Sequence, residues 1–219
     1  MKTIAINKGR IYQETVQLLL KPKILDQAST KEDRRLVFSS PSGDYRFLVV
    51  RSADVPIYVE RGAADIGVTG KDSIMEYGAS MTFYETMDLG LGKCRMMTAW
   101  PKESPEPFGK IRVATKFVNI AREYFDSQNR QVEMIKLSGA LEIAPSLGLS
   151  DCIVDLVATG ETLNANGMEP RELIAEISSR LIVNRAALKT KFDEINAFTN
   201  LITSVSSESE SCLLYTSDA

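Results

Sequence analysis

Histidine is absent from the 219 residues of this chain. Its absence excludes Ser-His-Asp and Cys-His nucleophilic sites, imidazole acid–base chemistry and histidine-ligated zinc. Cysteine is scarce. Cys94, Cys152 and Cys212 stand singly, without the spacing of a zinc site or a disulfide framework. No apolar run approaches the ~18 residues that a membrane helix needs. The start, Met1-Lys2-Thr3-Ile4-Ala5-Ile6, enters a strand-like pattern without a signal-peptide core, so a cytoplasmic address is expected. An excess of one charge is also lacking. Lysine and arginine total 26 against 29 acids, and a net −3 supplies no overall field to recruit nucleic acid. Any catalysis must run on carboxylates, lysine, arginine, hydroxyls and backbone amides, with Mg2+ held by carboxylates and substrate phosphates if a metal takes part.

What is present is ordinary globular material, 44% hydrophobic and 25% charged, long enough for one large or two small domains. Residues 2–6 read as a strand, and 11–20 carry apolar residues at helical spacing. Residues 35–38 and 45–51 read as strands around the turn Ser40-Pro41-Ser42-Gly43, and 53–61 as a helix with Pro56 in its first turn. Further strands are expected at 64–70, 93–99, 111–115, 132–137 and 151–158, with helices at 72–77, 117–126, 140–147 and 161–166. A strand or long apolar segment at 171–184 and an amphipathic helix at 185–201 complete the body. Strands alternating with helices predict an α/β fold with parallel sheets. The last 17 residues, Thr203–Ala219, hold six serines, three acids and no base, and their Ser/Glu run is too polar to build a core. The string from Cys212 onwards resembles a translated sequencing-library adapter, so 203–219 reads as a non-native or a natural disordered tail outside the fold. With its three acids set aside, residues 1–202 carry 26 acids against 26 bases.

Four segments carry residues suited to anions. The first runs from Asp151 through Asp155 to Thr159-Gly160-Glu161-Thr162: a hydrophobic strand delivers an acid, then a turn opens a helix. Amides and hydroxyls at such a turn suit a phosphate, and Gly160 admits close approach. Asp155 suits sugar hydroxyls. Taken alone, a helix capped by threonine is the commoner explanation. The second is Asn7-Lys8-Gly9-Arg10, two cations beside a glycine at a strand end, which reads equally well as a solvated basic turn. The third is Arg51-Ser52-Ala53-Asp54, where helix capping explains Ser52 or Asp54 and Arg51 at a strand end is the better ligand, as is Arg34 ahead of Leu36-Val37-Phe38. The fourth is Ser138-Gly139-Ala140-Leu141-Glu142, whose carboxylate either faces a ligand or complements a helix start. Cys94 and Cys152 lie in apolar strands and read as inert core.

The order of these segments decides what each alone does not. Asn7–Arg10, RSADVPIYVERGAADIGVTGKD at 51–72, DLGLGKCRMM at 88–97, KLSGALEIAPSLGLSDCIVDLVATGETLNANGM at 136–168 and RLIVNRAALK at 180–189 resemble the ATP phosphoribosyltransferases. The resemblance spans about residues 1–202. It implies two α/β lobes resembling a type II periplasmic binding protein, with the active site in the interlobe cleft. Lobe I would take 1–92 plus 173–202, and lobe II 93–172. The family reaction joins N1 of ATP to C1 of phosphoribosyl pyrophosphate with Mg2+, and pyrophosphate leaves. By the resemblance, Thr159, Gly160 and Thr162 hold the 5′-phosphate and Asp155 the ribose, with Glu161 also a substrate-binding residue of the turn. Lys8, Gly9, Arg10, Arg34 and Arg51 meet pyrophosphate and ATP phosphates. Ser138, Gly139 and Glu142 lie near the sugar or metal. Arg10, Arg34 and Asp155 are the expected catalytic residues. With the resemblance ending near Ile202, the chain resembles the short form, which works in a hetero-oligomer with a regulatory subunit resembling a histidyl-tRNA synthetase core. The competing expectation is a noncatalytic anion- or solute-binding protein on the same fold.

Overall fold

The computed structural model describes residues 1–27, 35–78, 82–105 and 107–214. In chain order its strands are β1 (Lys2–Asn7), β2 (Val37–Ser39), β3 (Tyr45–Val50), β4 (Ile66–Gly70), β5 (Phe83–Asp88), β6 (Cys94–Pro101), β7 (Ile111–Thr115), β8 (Val132–Lys136), β9 (Cys152–Val157), β10 (Met168–Ile177) and β11 (Ser179–Asn184). Its helices are α1 (Arg10–Leu20), α2 (Val55–Glu60), α3 (Lys71–Tyr77), α4 (Val118–Ser127), α5 (Glu161–Ala165), α6 (Arg185–Thr190) and α7 (Phe192–Leu214). They form two compact units, one from 1–74, 79–92 and 178–219, the other from 75–78 and 93–177.

The first unit holds a sheet of order β2-β3-β1-β4-β11-β5. Strands β1, β3 and β4 run parallel, while β11 lies antiparallel to both neighbours and β2 antiparallel to β3. Alternation sends Ile4, Ile6, Phe47, Val49, Ile66, Val68, Leu181 and Val183 into one core, joined by Leu18 and Leu19 of α1 and by α7. On the other face α2 packs against β4 over Gly67. A Cβ there would lie 2.7–2.9 Å from Val59 Cγ2, Val55 Cγ1 and Ile182 Cγ1, so only glycine admits the helix.

The second unit holds a sheet of order β10-β6-β9-β7-β8, with β7, β8 and β9 parallel and β6 antiparallel to both β9 and β10. One face packs Val113, Cys152 and Val154 on Ile120, Ala121 and Phe125 of α4. The other packs Ala114, Ile153 and Val157 on Leu141 and Leu163. Glu76 reaches the start of α4, where its carboxylate accepts from the amides of Asn119 and Ile120 at 3.0–3.2 Å. Burial pushes the Cys152 thiol up to about 12, which fits an inert core residue.

Several expectations change. The sheets are mixed rather than parallel, because β11 returns between β4 and β5 and β6 returns beside β9. The helix expected at 140–147 is a single 3-10 turn, Leu141–Ile143. Ala140 enters it left-handed at φ 51°, and Pro145 has no N–H to carry the next turn. The helix expected at 185–201 is two. Lys191 leaves helical geometry between α6 and α7, and its ammonium binds both Asp65 oxygens at 2.9 and 3.0 Å. Strand β5 had no expectation, since its side chains are mostly exposed and lack a clean alternation. The exchange between units falls after β10, at 177/178, whereas the expected 172/173 lies inside a strand paired with β6 through Ile177. The tail expected from 203 begins too early. Ile195, Phe198, Ile202 and Val205 form one buried stripe along α7. Among the described residues no helix is long and apolar enough to cross a membrane.

Candidate active site

The parallel strands bring the expected residues to strand ends, where α/β proteins place their ligands. In the second unit, Thr115 lies level with Lys136 of β8 and Val154 of β9, so the loops after β7, β8 and β9 leave the sheet at one edge. That edge carries Ser138, Gly139 and the turn 159–162. Ser138, Gly139, Thr159, Glu161 and Thr162 are exposed, and Glu142 is half-buried on the 3-10 turn. Leu141 and Leu163 share a cluster with Ile153 and Val157 of β9, which ties the 138–142 loop and α5 to that strand.

Local geometry shapes the turn. Gly160 sits left-handed at φ 82° and opens α5. A Cβ there meets only Val157 Cγ1 at 3.8 Å, so the conformation rather than crowding calls for glycine. Thr159 Oγ1 accepts from the Glu161 amide at 3.4 Å, and the Asn164 amide donates to Gly160 O at 3.0 Å. The first amides of any helix lack intrahelical acceptors, which leaves donors at this turn. Asp155 points from the same sheet face as Ile153 and Val157, with its carboxylate 24% exposed. Lys116, which the sequence reading passed over, follows β7 and sets its ammonium 3.8 Å from Asp155 Oδ1.

At the far end of the same strands, Arg112 grips Asp151. The Arg112 amide donates at 2.8 Å, and its guanidinium donates at 2.6 and 3.3 Å. These contacts hold the Asp151 carboxyl below the ordinary range. They anchor the entry to β9 rather than a ligand edge.

In the first unit, Asn7 lies level with Val50, and the Lys8 amide donates to Val50 O at 2.6 Å. Lys8 and Arg51 therefore leave the sheet side by side, and both are exposed. Gly9 joins β1 to α1 at φ 122° and ψ −152°, with Arg10 the first helical residue. Arg34 lies outside the described residues. Asp54 makes no capping hydrogen bond to α2, and Ser52 has other partners. Ser52 Oγ lies 2.8 Å from Ser73 Oγ and 3.1 Å from Thr69 Oγ1, and Thr69 donates to Ser52 O. This hydroxyl cluster at the ends of β3 and β4 was not anticipated, because its members are far apart in sequence. Lys116 had a legible signal, a lone lysine directly after the apolar strand IRVAT.

One strand-end edge of this α/β protein carries a carboxylate and a Thr-Gly-Glu-Thr turn and another carries exposed cations, groups of the kind that meet phosphates in α/β proteins. The family model "HisG: ATP phosphoribosyltransferase" matches residues 51–204. An ATP phosphoribosyltransferase of Marinobacter nauticus is 54% identical over 194 residues, 89% of this chain and 90% of that protein. One from Pseudomonas aeruginosa is 51% identical over 197 residues, 90% of this chain and 93% of that protein. Among solved structures, a chain of the ATP phosphoribosyl transferase (HisG:HisZ) complex from Thermotoga maritima superposes with a TM-score of 0.84 at 31% identity, covering 95% of this chain and all of that one. The periplasmic aliphatic sulphonate binding protein SsuA from Escherichia coli shares the fold alone, with a TM-score of 0.62 at 13% identity over 98% of this chain and 71% of that one. The chain belongs to the ATP phosphoribosyltransferase family and is a transferase.

Proposed function

We propose that the chain transfers the phosphoribosyl group of phosphoribosyl pyrophosphate to N1 of ATP, releasing pyrophosphate, as the first step of histidine biosynthesis. The observation that carries this reading is the β9 edge, Asp155 followed by Thr159-Gly160-Glu161-Thr162, in a chain half identical to named members of the family. In this reading the turn amides and the Thr159 and Thr162 hydroxyls hold the 5′-phosphate, and Asp155 accepts from the ribose hydroxyls. Lys8, Arg10, Arg34 and Arg51 meet the ATP phosphates and pyrophosphate, with Gly9 keeping their turn compact. Ser138, Gly139 and Glu142 flank the sugar.

The chemistry suits a chain without histidine. The N1 lone pair of adenine forms the bond to C1 as the C1–O bond breaks, and the electron pair leaves with pyrophosphate. No base is needed to make the nucleophile. What the protein supplies is orientation of two polyanions and stabilisation of separating charge. Among the described residues, no three carboxylates or thiols gather into a metal cage. A Mg2+ ion would arrive with the pyrophosphate oxygens, and in this reading Glu142 is the carboxylate near the sugar or metal. Bound there, the ion would neutralise charge on the leaving group.

We also propose a second, regulatory subunit as partner, supported by the Thermotoga maritima relative, which was solved as a HisG:HisZ complex. A cytoplasmic setting is part of this proposal. The test is pyrophosphate release from purified chain, with and without that partner. Release that requires both ATP and phosphoribosyl pyrophosphate is expected. No release under either condition would rule out the reaction.

A further inference from the structure

Lys116 stands where none of the expected roles reaches. Register explains its position. Ala114 pairs with Ile153 and Thr115 with Val154, so the next step along both parallel strands sets Lys116 beside Asp155. Alternation puts the two on one face, that of Ala114, Ile153 and Val157. The turn that aims the lysine is braced from beneath. The fully buried Thr115 hydroxyl donates to Val154 O at 2.7 Å and accepts from the Phe117 amide at 2.9 Å. The lysine itself is loosely held. Its ammonium is 3.8 Å from Asp155 Oδ1 and 4.6 Å from the centroid of the Phe117 ring, and its side chain is 44% exposed.

A braced backbone carrying a loosely paired, half-exposed cation is poor as a structural salt bridge, since such pairs add little stability. It is well suited to partner exchange. We propose that Lys116 pairs with Asp155 in the free enzyme and moves to the pyrophosphate of the incoming substrate, leaving Asp155 to the ribose hydroxyls. This rests on the phosphoribosyl reading of the β9 edge given above. The geometry orders the contacts. With the 5′-phosphate at the turn ending β9 and the ribose at Asp155, the leaving group lies beyond the sugar, and β7 is the adjacent strand. A pyrophosphate offers several anionic oxygens where Asp155 offers one carboxylate, so the ammonium gains by moving. The exchange also couples leaving-group binding to release of the carboxylate.

The experiment uses the full chain and two probes, Mg2+-pyrophosphate and ribose 5-phosphate, measured by calorimetry on wild type, Lys116→Met and Lys116→Arg. Lys116→Met is expected to bind pyrophosphate about tenfold or more weakly, the loss of one charge-assisted contact. Its affinity for ribose 5-phosphate should stay within about twofold or improve, because no ion pair then has to open. Lys116→Arg should restore pyrophosphate binding. Wild-type pyrophosphate affinity in Lys116→Met would overturn the proposal, as would an equal loss for both probes, which marks a structural role. A melting curve confirms that each variant is folded. Adduct formation by the wild-type chain is scored separately. Its absence would count against the reaction, while the two binding probes together decide Lys116.

Discussion

Replacing Gly160 separates a phosphate-binding turn from a mere helix start. Gly160 has φ 82°, and a Cβ built on it meets nothing closer than Val157 Cγ1 at 3.8 Å. Crowding therefore adds nothing to the cost of Gly160→Ala. What remains is left-handed strain, about 1–2 kcal/mol for an L-residue with a side chain. For a chain of this size that corresponds to a drop of about 2–8 °C in melting temperature. Gly160→Asn tolerates the left-handed region far better and should melt close to wild type. If the turn only starts α5, activity follows stability, and the asparagine variant turns over like wild type. If its amides approach a phosphate, both side chains intrude on the anion, and both variants raise KM for phosphoribosyl pyrophosphate. Loss of one charge-assisted hydrogen bond puts that rise at about 10- to 100-fold. Melting curves and initial rates at saturating ATP measure both quantities. A wild-type KM in Gly160→Asn and in Gly160→Ala would refute the phosphate role.

Other predictions test the frame around the site. Gly67→Ala drives a methyl group into Val55, Val59 and Ile182 at 2.7–2.9 Å, and should lower unfolding free energy in urea by about 1–3 kcal/mol or more; an unchanged midpoint would show that α2 shifts freely. Asp151 is held below its ordinary value by Arg112, so its contribution is full above about pH 5 and is lost as pH falls through its folded value. Wild-type stability should therefore fall more steeply below pH 4 than that of Asp151→Asn, and parallel curves would contradict the assignment. Cys152, pushed up to about 12 by burial, should resist thiol reagents at pH 8 until the chain unfolds; fast labelling of the folded chain would show that β9 opens.

Much of the candidate site could be proposed from the sequence because its residues are neighbours there. Asp155 and Thr159-Gly160-Glu161-Thr162 lie within one strand and turn, as do Lys8, Gly9 and Arg10. The pairing of Lys8 with Arg51, or of Lys116 with Asp155, depends on which strands lie side by side, and periodicity holds no such information. Local patterns also misled where tertiary contacts prevailed. The 140–147 segment has helical composition, yet the left-handed Ala140 and Pro145 limit it to one 3-10 turn. The polar run after Thr203 hides Val205, which completes a stripe three residues past Ile202. The mixed strand directions were illegible for the same reason, since β10 and β11 were read as a single apolar segment.

The most direct test of the central reading is the identity of the product. Purified chain with the proposed regulatory partner, ATP, phosphoribosyl pyrophosphate and Mg2+ should generate a species whose mass is ATP plus one phosphoribosyl unit. Its ultraviolet spectrum should shift, and isotope labelling should place the new bond at adenine N1. A complex that binds both substrates yet forms no such adduct, or one that joins the sugar to a different base, would contradict the account.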